Sequence, residues 1–291
     1  MIINHISRVH SETKNLNPIV SILHRKFKSN KIASRLNSSK IEKNQLNIYH
    51  FGGVYCFYKF LKFKFYRNKS HNVIFFHGTD LHNYNKDFDF LNKVKSNINY
   101  VCNIMLMIFS DYSYIVSNSL IPHIPNLLLK KIKIINLGLD LDNIYNHDNV
   151  HANKNLIFVN NNNRGLKNFS LAKKFAKKNN FQIDQLMGLS QKEFFKKLRS
   201  AYGLIITSFQ EGSPNVLKEA IAYGIKVFTV DVGDCKSNIL RFGGTLIDYN
   251  SEILNEFKPN KKYSTEYFSI QNTVNQIEND FNLFMRFYNE K

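Results

Sequence analysis

The chain has 291 residues, 43% hydrophobic and 14% aromatic, enough for two domains of ordinary size with real cores. Forty Lys and Arg against 22 Asp and Glu give a formal charge of +18, an excess that calls for an acidic partner: nucleic acid, an anionic lipid leaflet or a phosphorylated substrate. Cys56, Cys102 and Cys235 form neither a C-x-x-C pair nor an even framework, which argues for a reduced, cytoplasmic setting and against a structural metal. No secretory h-region follows Met1, and no apolar run is long enough to span a bilayer.

Taken in order, residues 1–7 predict a first strand and 18–27 a first helix, joined by a loop without glycine. A second strand over 44–51 ends in Gly52 and Gly53. The next segment, VYCFYKFLKFKFYRNK, interleaves aromatic and basic residues. On a helix Val54, Phe57, Tyr58, Leu61 and Phe65 share one face, which Phe60 and Phe63 widen and Lys59, Lys62 and Lys69 flank. Two readings stand: a core helix whose lysines snorkel, or a helix in the headgroup region of an anionic bilayer with Lys59, Lys62 and Lys64 on the lipid charges. Residues 72–76 form a short apolar strand that delivers His77, Gly78, Thr79 and Asp80 to a loop. A helix over 103–109 and strands over 112–117 and 131–135 follow, and the polar run 145–155 is the expected interdomain crossing.

The second half opens with a strand over 156–159 and the run NNNNRGLKNFSLAKKFAKK, in which Asn168 or Ser170 caps an amphipathic helix. Arg164 and Lys167 stand where strand gives way to helix, which suits a diphosphate. Ser190 and Glu193 have the spacing of a capping box.

Then comes IITSFQEGSPNVLKEAIAYGIKVFTVDVG, where every local cue agrees. An apolar strand over 203–207 ends in a polar loop. Ser213 is read as N-cap and Pro214 as the first helical residue. Val216, Leu217, Ala220 and Ile221 recur at helical spacing, Gly224 stops the helix, and a second strand spans 226–230. Ligands of such parallel sheets sit at the carboxyl ends of the strands, and the rim here carries Glu211, Gly212, Ser213, Pro214 and Asn215. Free N–H groups of the first turn suit a phosphate. Glu219, about 9 Å further along the helix, suits the vicinal hydroxyls of a ribose. The expected ligand is a sugar nucleotide. Beyond, 273–288 predicts a terminal helix.

Glu211 and Glu219, inside EGSPNVLKEAIAYG and followed by VDVGD, resemble the E-x7-E motif of retaining glycosyltransferases of GT-B fold, family 4. The resemblance is strongest over 156–233. It implies an α/β architecture of two Rossmann-like domains with parallel sheets facing across a cleft: an acceptor-side domain over 1–148, a nucleotide-sugar domain over 149–270 and a helix over 271–291 crossing back. It further implies donor contacts by Glu219 on the ribose, Lys167 and Arg164 on the diphosphate, and the 212–215 backbone on phosphate or sugar. Glu211 would hold sugar hydroxyls, and His77, in HGTDL, matches the family's histidine near the reacting carbon. SDYSYIVSNS and INLGLDLDNI resemble two further segments of the family's first domain. No cofactor or metal is implied: the donor itself, UDP- or GDP-linked, is the small-molecule partner, and the Asp87-x-Asp89 and Asp140-x-Asp142 pairs are assigned none. The composite expectation is a cytoplasmic enzyme, peripheral at the inner face of the plasma membrane, acting on a glycan or lipid-linked acceptor of bacterial surface polysaccharide and not on nucleic acid. A catalytically degenerate scaffold is the chief alternative, since the glycine-rich first loop of the family is absent; a basic nucleic-acid-binding protein is the other.

Overall fold

A computed structural model of the chain describes residues 3–6, 30–32, 46–50, 52–66, 71–78, 81, 90–139, 154–159, 165–258 and 264–289. They divide into two units, residues 1–136 with 273–291, and residues 137–272. The expected helix over 18–27, the glycine-free loop and most of the expected crossing at 145–155 lie outside the described residues.

The first unit is built on six parallel strands: β1 (Ile3–Ile6), β2 (Asn30–Ile32), β3 (Leu46–His50), β4 (His71–Phe76), β5 (Tyr112–Ile115) and β6 (Ile132–Ile134), in the order β2-β1-β3-β4-β5-β6. Strands covered on both faces read as continuous apolar runs, and all six residues of β4 are buried. Tyr49, Phe60, Phe75, Phe76, Leu106 and Tyr114 form its core. Helix α1 (Gly53–Tyr66) follows β3, and α2 (Phe90–Phe109) follows β4. Asn103 of α2 accepts from the Gly53 N–H and Asn99 from the Val54 N–H at 3.2 Å, so the free donors that open α1 are satisfied by α2. Only 103–109 is expected to be helical; the helix starts at Phe90, and its Lys- and Asn-rich first half, with apolar residues on one narrow stripe, hides that start in the sequence. Within α1, Cys56 and Phe60 are buried, while Val54 and Tyr58 are exposed.

The second unit holds β7 (Asn155–Val159), α3 (Phe169–Lys178), β8 (Gln182–Leu186), α4 (Gln191–Ser200), β9 (Gly203–Ile206), α5 (Asn215–Ala222), β10 (Lys226–Thr229), α6 (Cys235–Phe242), β11 (Gly244–Ile247), β12 (Ile253–Phe257) and α7 (Ser264–Tyr267). The sheet order is β12-β11-β10-β9-β7-β8, parallel throughout except for β12, which pairs antiparallel at the edge. Asn168 caps α3, its side chain accepting from the Leu171 N–H, and Ser190 with Glu193 forms the expected capping box on α4. Helix α8 (Ile270–Asn289) ends the described chain, and most of it belongs to the first unit. There Asp280 accepts from the Tyr114 hydroxyl at 2.9 Å and pairs with Lys133 at 2.8 Å.

Candidate functional site

In the second unit the chain leaves β9 at Ile206 and reaches α5 through the loop 207–214. The loop is fastened to the 3-10 turn Gly165–Lys167 and the residue after it by one side-chain hydroxyl and one backbone bond. Thr207 Oγ1 donates to the carbonyls of Lys167 (3.1 Å) and Asn168 (2.9 Å), and the Phe209 N–H donates to the Leu166 carbonyl at 2.9 Å. These bonds hold the two strand ends in register, and with them the two side chains that matter. Lys167 Nζ donates to Glu211 Oε1 at 2.5 Å, and Ser208 Oγ donates to the same oxygen at 2.6 Å. Glu211 is buried and Lys167 one third exposed, so the pair faces solvent from the lysine side. An ammonium has three protons. With one on Glu211, two remain for an anion at the rim.

The second loop of the rim, 230–234, closes on the first. The Asp234 N–H donates to the Gly212 carbonyl at 3.0 Å, and Ser213 Oγ donates to Asp234 Oδ2 at 2.6 Å. This corrects the expected cap: the Ser213 hydroxyl is engaged by Asp234, Pro214 stands at the N-cap without a side-chain cap bond, and α5 begins at Asn215. Gly233 makes the approach possible. Its φ is +57°, and a Cβ there would lie 2.5 Å from the Gly212 carbonyl oxygen and 2.9 Å from that of Glu211. Gly233→Ala is therefore expected to cost about 1–3 kcal/mol, through a left-handed non-glycine backbone and displacement of the Glu211 loop. Denaturant unfolding of the variant checks this, and a loss under about 0.5 kcal/mol, the range of ordinary surface substitutions, would contradict it.

Asn215 opens α5, and Glu219 lies one turn on. Glu219 keeps an edge to solvent, and burial of its carboxyl pushes its pKa up to about 7 against the opposing pull of Lys218. Lys218 is fully buried and donates to the Leu137 carbonyl at 2.6 Å; burial brings its pKa down to about 8.

The structure thus brings Lys167 and Glu211 into contact, and sets Gly212, Ser213, Pro214, Asn215 and Glu219 along the loop and helix that follow. Arg164 lies outside the described residues, as do both Asp-x-Asp pairs. His77 belongs to the first unit, at the end of β4. Its Nε2 lies 2.9 Å from His50 Nδ1, its ring stacks on Phe75 with centroids 4.6 Å apart, and burial lowers its pKa to about 3, so it is neutral at physiological pH. Lys59 and Lys62 lie on α1, Lys59 with its ammonium 5.7 Å from the Tyr55 ring centroid; Lys64 is on the same helix. Among the described residues no cluster of three or more His, Cys, Asp or Glu is placed to hold a metal ion.

Sequence reading alone missed Ser208, Thr207, Asp234 and His50. A signal existed for His50 only: like His77 it closes an apolar strand, and β3 and β4 are parallel neighbours with His50 opposite Phe75.

No protein-family model and no curated protein matches the sequence. Solved structures do. The chain is similar to the lipopolysaccharide outer core galactosyltransferase WaaB at 13% identity, covering 96% of this chain and 98% of that one with a TM-score of 0.62. It is similar to the catalytic domain of starch synthase IV from Arabidopsis thaliana, bound to ADP and acarbose, at 10% identity, 96% and 98% coverage and a TM-score of 0.63. It is also similar to HepE from Anabaena, in complex with UDP and glucose, at 9% identity, 96% and 99% coverage and a TM-score of 0.61. The fold is of the GT-B glycosyltransferase type, α/β with parallel sheets.

Proposed function

We propose that this chain is a retaining glycosyltransferase that moves a sugar from a nucleotide-sugar donor to a glycan or lipid-linked acceptor in bacterial surface polysaccharide synthesis. The observation that carries the reading is the Ser208–Glu211–Lys167 cluster at the carboxyl ends of the second unit's parallel strands, beside the start of α5. That rim is where parallel α/β sheets bind ligands. The ADP and the UDP with glucose held by two structures of this fold support it.

In this reading Lys167, with Arg164, neutralises the departing diphosphate, which is the main electrostatic task of the transfer. The 212–215 backbone supports phosphate or sugar. Glu219 accepts from the ribose hydroxyls. Glu211, its charge fixed by Lys167 and Ser208, holds donor-sugar hydroxyls and favours the oxocarbenium-like state. Neutral His77 supplies a hydrogen bond to the sugar. The acceptor hydroxyl attacks from the leaving-group face. No metal is assigned a role. The protein works in the cytoplasm, peripheral at the inner face of the plasma membrane, with Lys59, Lys62 and Lys64 towards its anionic lipids. No described helix is long and apolar enough to cross a membrane.

The test is a thermal-shift panel of UDP, GDP, ADP, CMP and their sugars on the wild type and on Glu219→Ala. A ligand that binds only the folded state raises the midpoint by mass action. One nucleotide is expected to raise it in the wild type and not in the variant; no shift for any of them, on a folded protein, would shift the reading to a degenerate scaffold. A pH series refines the test. A carboxyl with a pKa of about 7 is roughly one-tenth ionised at pH 6 and nine-tenths at pH 8, so affinity for that nucleotide is expected to rise about tenfold across the interval. Glu219→Gln should be flat.

A further inference from the structure

Helix α2 (Phe90–Phe109) carries an apolar stripe on its outward face. Val94, Ile98, Val101, Met105 and Ile108 follow one another at spacings of four, three, four and three residues, which keeps them within one narrow strip of the helix surface. Four of them are exposed: Val94 at 40%, Ile98 at 50%, Val101 at 59% and Ile108 at 42%. The opposite side of the same helix is spoken for, since Asn99 and Asn103 bond the first turn of α1 and Leu106 and Met107 are buried. The stripe is therefore an ordered helix's outer surface with a stated inner partner. A run of β-branched and unbranched apolar side chains along about four turns of exposed helix marks an interaction surface.

Charge decides its occupant. The unit that holds α2 carries 22 Lys and Arg against 9 Asp and Glu, whereas the other unit carries 18 against 13. Helix α2 itself has Lys93 and Lys95 and no acidic residue. A second copy of the chain would meet the stripe with the same spacing, but it would bring the same positive excess and no carboxylate on the helix to answer the lysines. An anionic bilayer supplies an apolar phase for the stripe and negative headgroups beside Lys93 and Lys95 of the same helix.

We propose that α2 is the membrane-inserting helix of this protein, its Val94-to-Ile108 stripe sunk into the headgroup boundary of an anionic leaflet. The proposal rests on the peripheral placement given under Proposed function and shifts the apolar contact from α1 to α2.

The chain has no tryptophan, so one introduced indole reports on one position. Full-length Val101→Trp is mixed with phosphatidylglycerol–phosphatidylethanolamine vesicles and with phosphatidylcholine vesicles. The expected result is a blue shift of emission and quenching by brominated acyl chains with the anionic vesicles, and neither with the neutral ones. In parallel, Ile98→Asp with Val101→Asp, both at exposed positions, is expected to reduce flotation with anionic vesicles about tenfold or more, with the thermal midpoint unchanged. Flotation of Val101→Trp without a blue shift would overturn the proposal by assigning binding to another face. Flotation of the aspartate variant equal to wild type would do the same. A dimer in sedimentation that the aspartate variant dissociates would assign the stripe to a second copy, and would also overturn it. Vesicle binding needs no donor, so a protein that floats and inserts yet shifts with no nucleotide would contradict the transferase reading and leave this one standing.

Discussion

Glu211→Gln is expected to lower the rate of sugar transfer by about 10²–10³-fold while the thermal midpoint stays within a few degrees of wild type. The carboxylate is held from two sides, by Lys167 at 2.5 Å and Ser208 at 2.6 Å. A carboxamide keeps an acceptor for the Ser208 hydroxyl and nearly the same volume, so packing survives. Its lost charge leaves Lys167 without an ion partner, but that side chain is one third exposed and water solvates it. What disappears, in the proposed reading, is a carboxylate beside the positive charge that develops on the donor sugar. The expected signature is a fall in kcat with the donor KM changed by less than about threefold, because the proposed reading assigns the diphosphate and ribose contacts to Lys167 and Glu219. A matching loss of the nucleotide-induced thermal shift would make Glu211 a binding residue instead, and an unchanged kcat would remove it from the chemistry.

The rim around Glu211 was legible because its cues are local. An apolar strand, a polar loop, apolar residues at helical spacing and a terminating glycine all fall within one segment, and α5 and β10 lie where that spacing puts them. The error in the same segment has a tertiary cause. Ser213 has the chemistry of a cap, but Asp234, 21 residues on, takes its hydroxyl. Edge and connecting elements were less visible. Strand β12 is largely exposed along ILNEF and has no buried face to impose a period, so nothing in its sequence separates it from a loop. Contacts such as Thr207 to the 167–168 carbonyls join residues about forty positions apart and leave no local trace. Helix α1 has both kinds of surface: Cys56 and Phe60 are core, whereas Val54 and Tyr58 face solvent. An exposed apolar stripe lies on α2, diluted in sequence by the asparagines that satisfy α1.

Lys218 shows the same limit most sharply, and its removal is the largest stability change expected. Between Leu217 and Glu219 it reads as an ordinary helix-surface lysine, yet it is fully buried, with its ammonium on the Leu137 carbonyl at 2.6 Å. Leu137 is the first residue of the second unit, and two residues later the Leu139 N–H bonds Phe268 and the Ile270 N–H bonds Leu139. Gly138 lets these segments touch, since a Cβ on it would overlap the Ser269 carbonyl. Lys218 therefore anchors the segment that enters the unit against the one that leaves it. Lys218→Ala removes a buried four-carbon stem and a charge-assisted hydrogen bond together, and is expected to cost about 3–5 kcal/mol. Lys218→Met keeps most of the volume and removes the buried charge, so it should cost only about 1–2 kcal/mol, chiefly for the carbonyl left unanswered. The pH dependence separates charge from packing. With a folded pKa of about 8 against an ordinary 10.5, the folded state binds fewer protons than the unfolded chain between those values, so this group makes stability rise with pH across that window. Urea unfolding at pH 8 and pH 10 should show the rise in wild type and its loss in Lys218→Met. A methionine variant as unstable as the alanine one, or an unchanged pH slope, would place the stabilising contribution elsewhere.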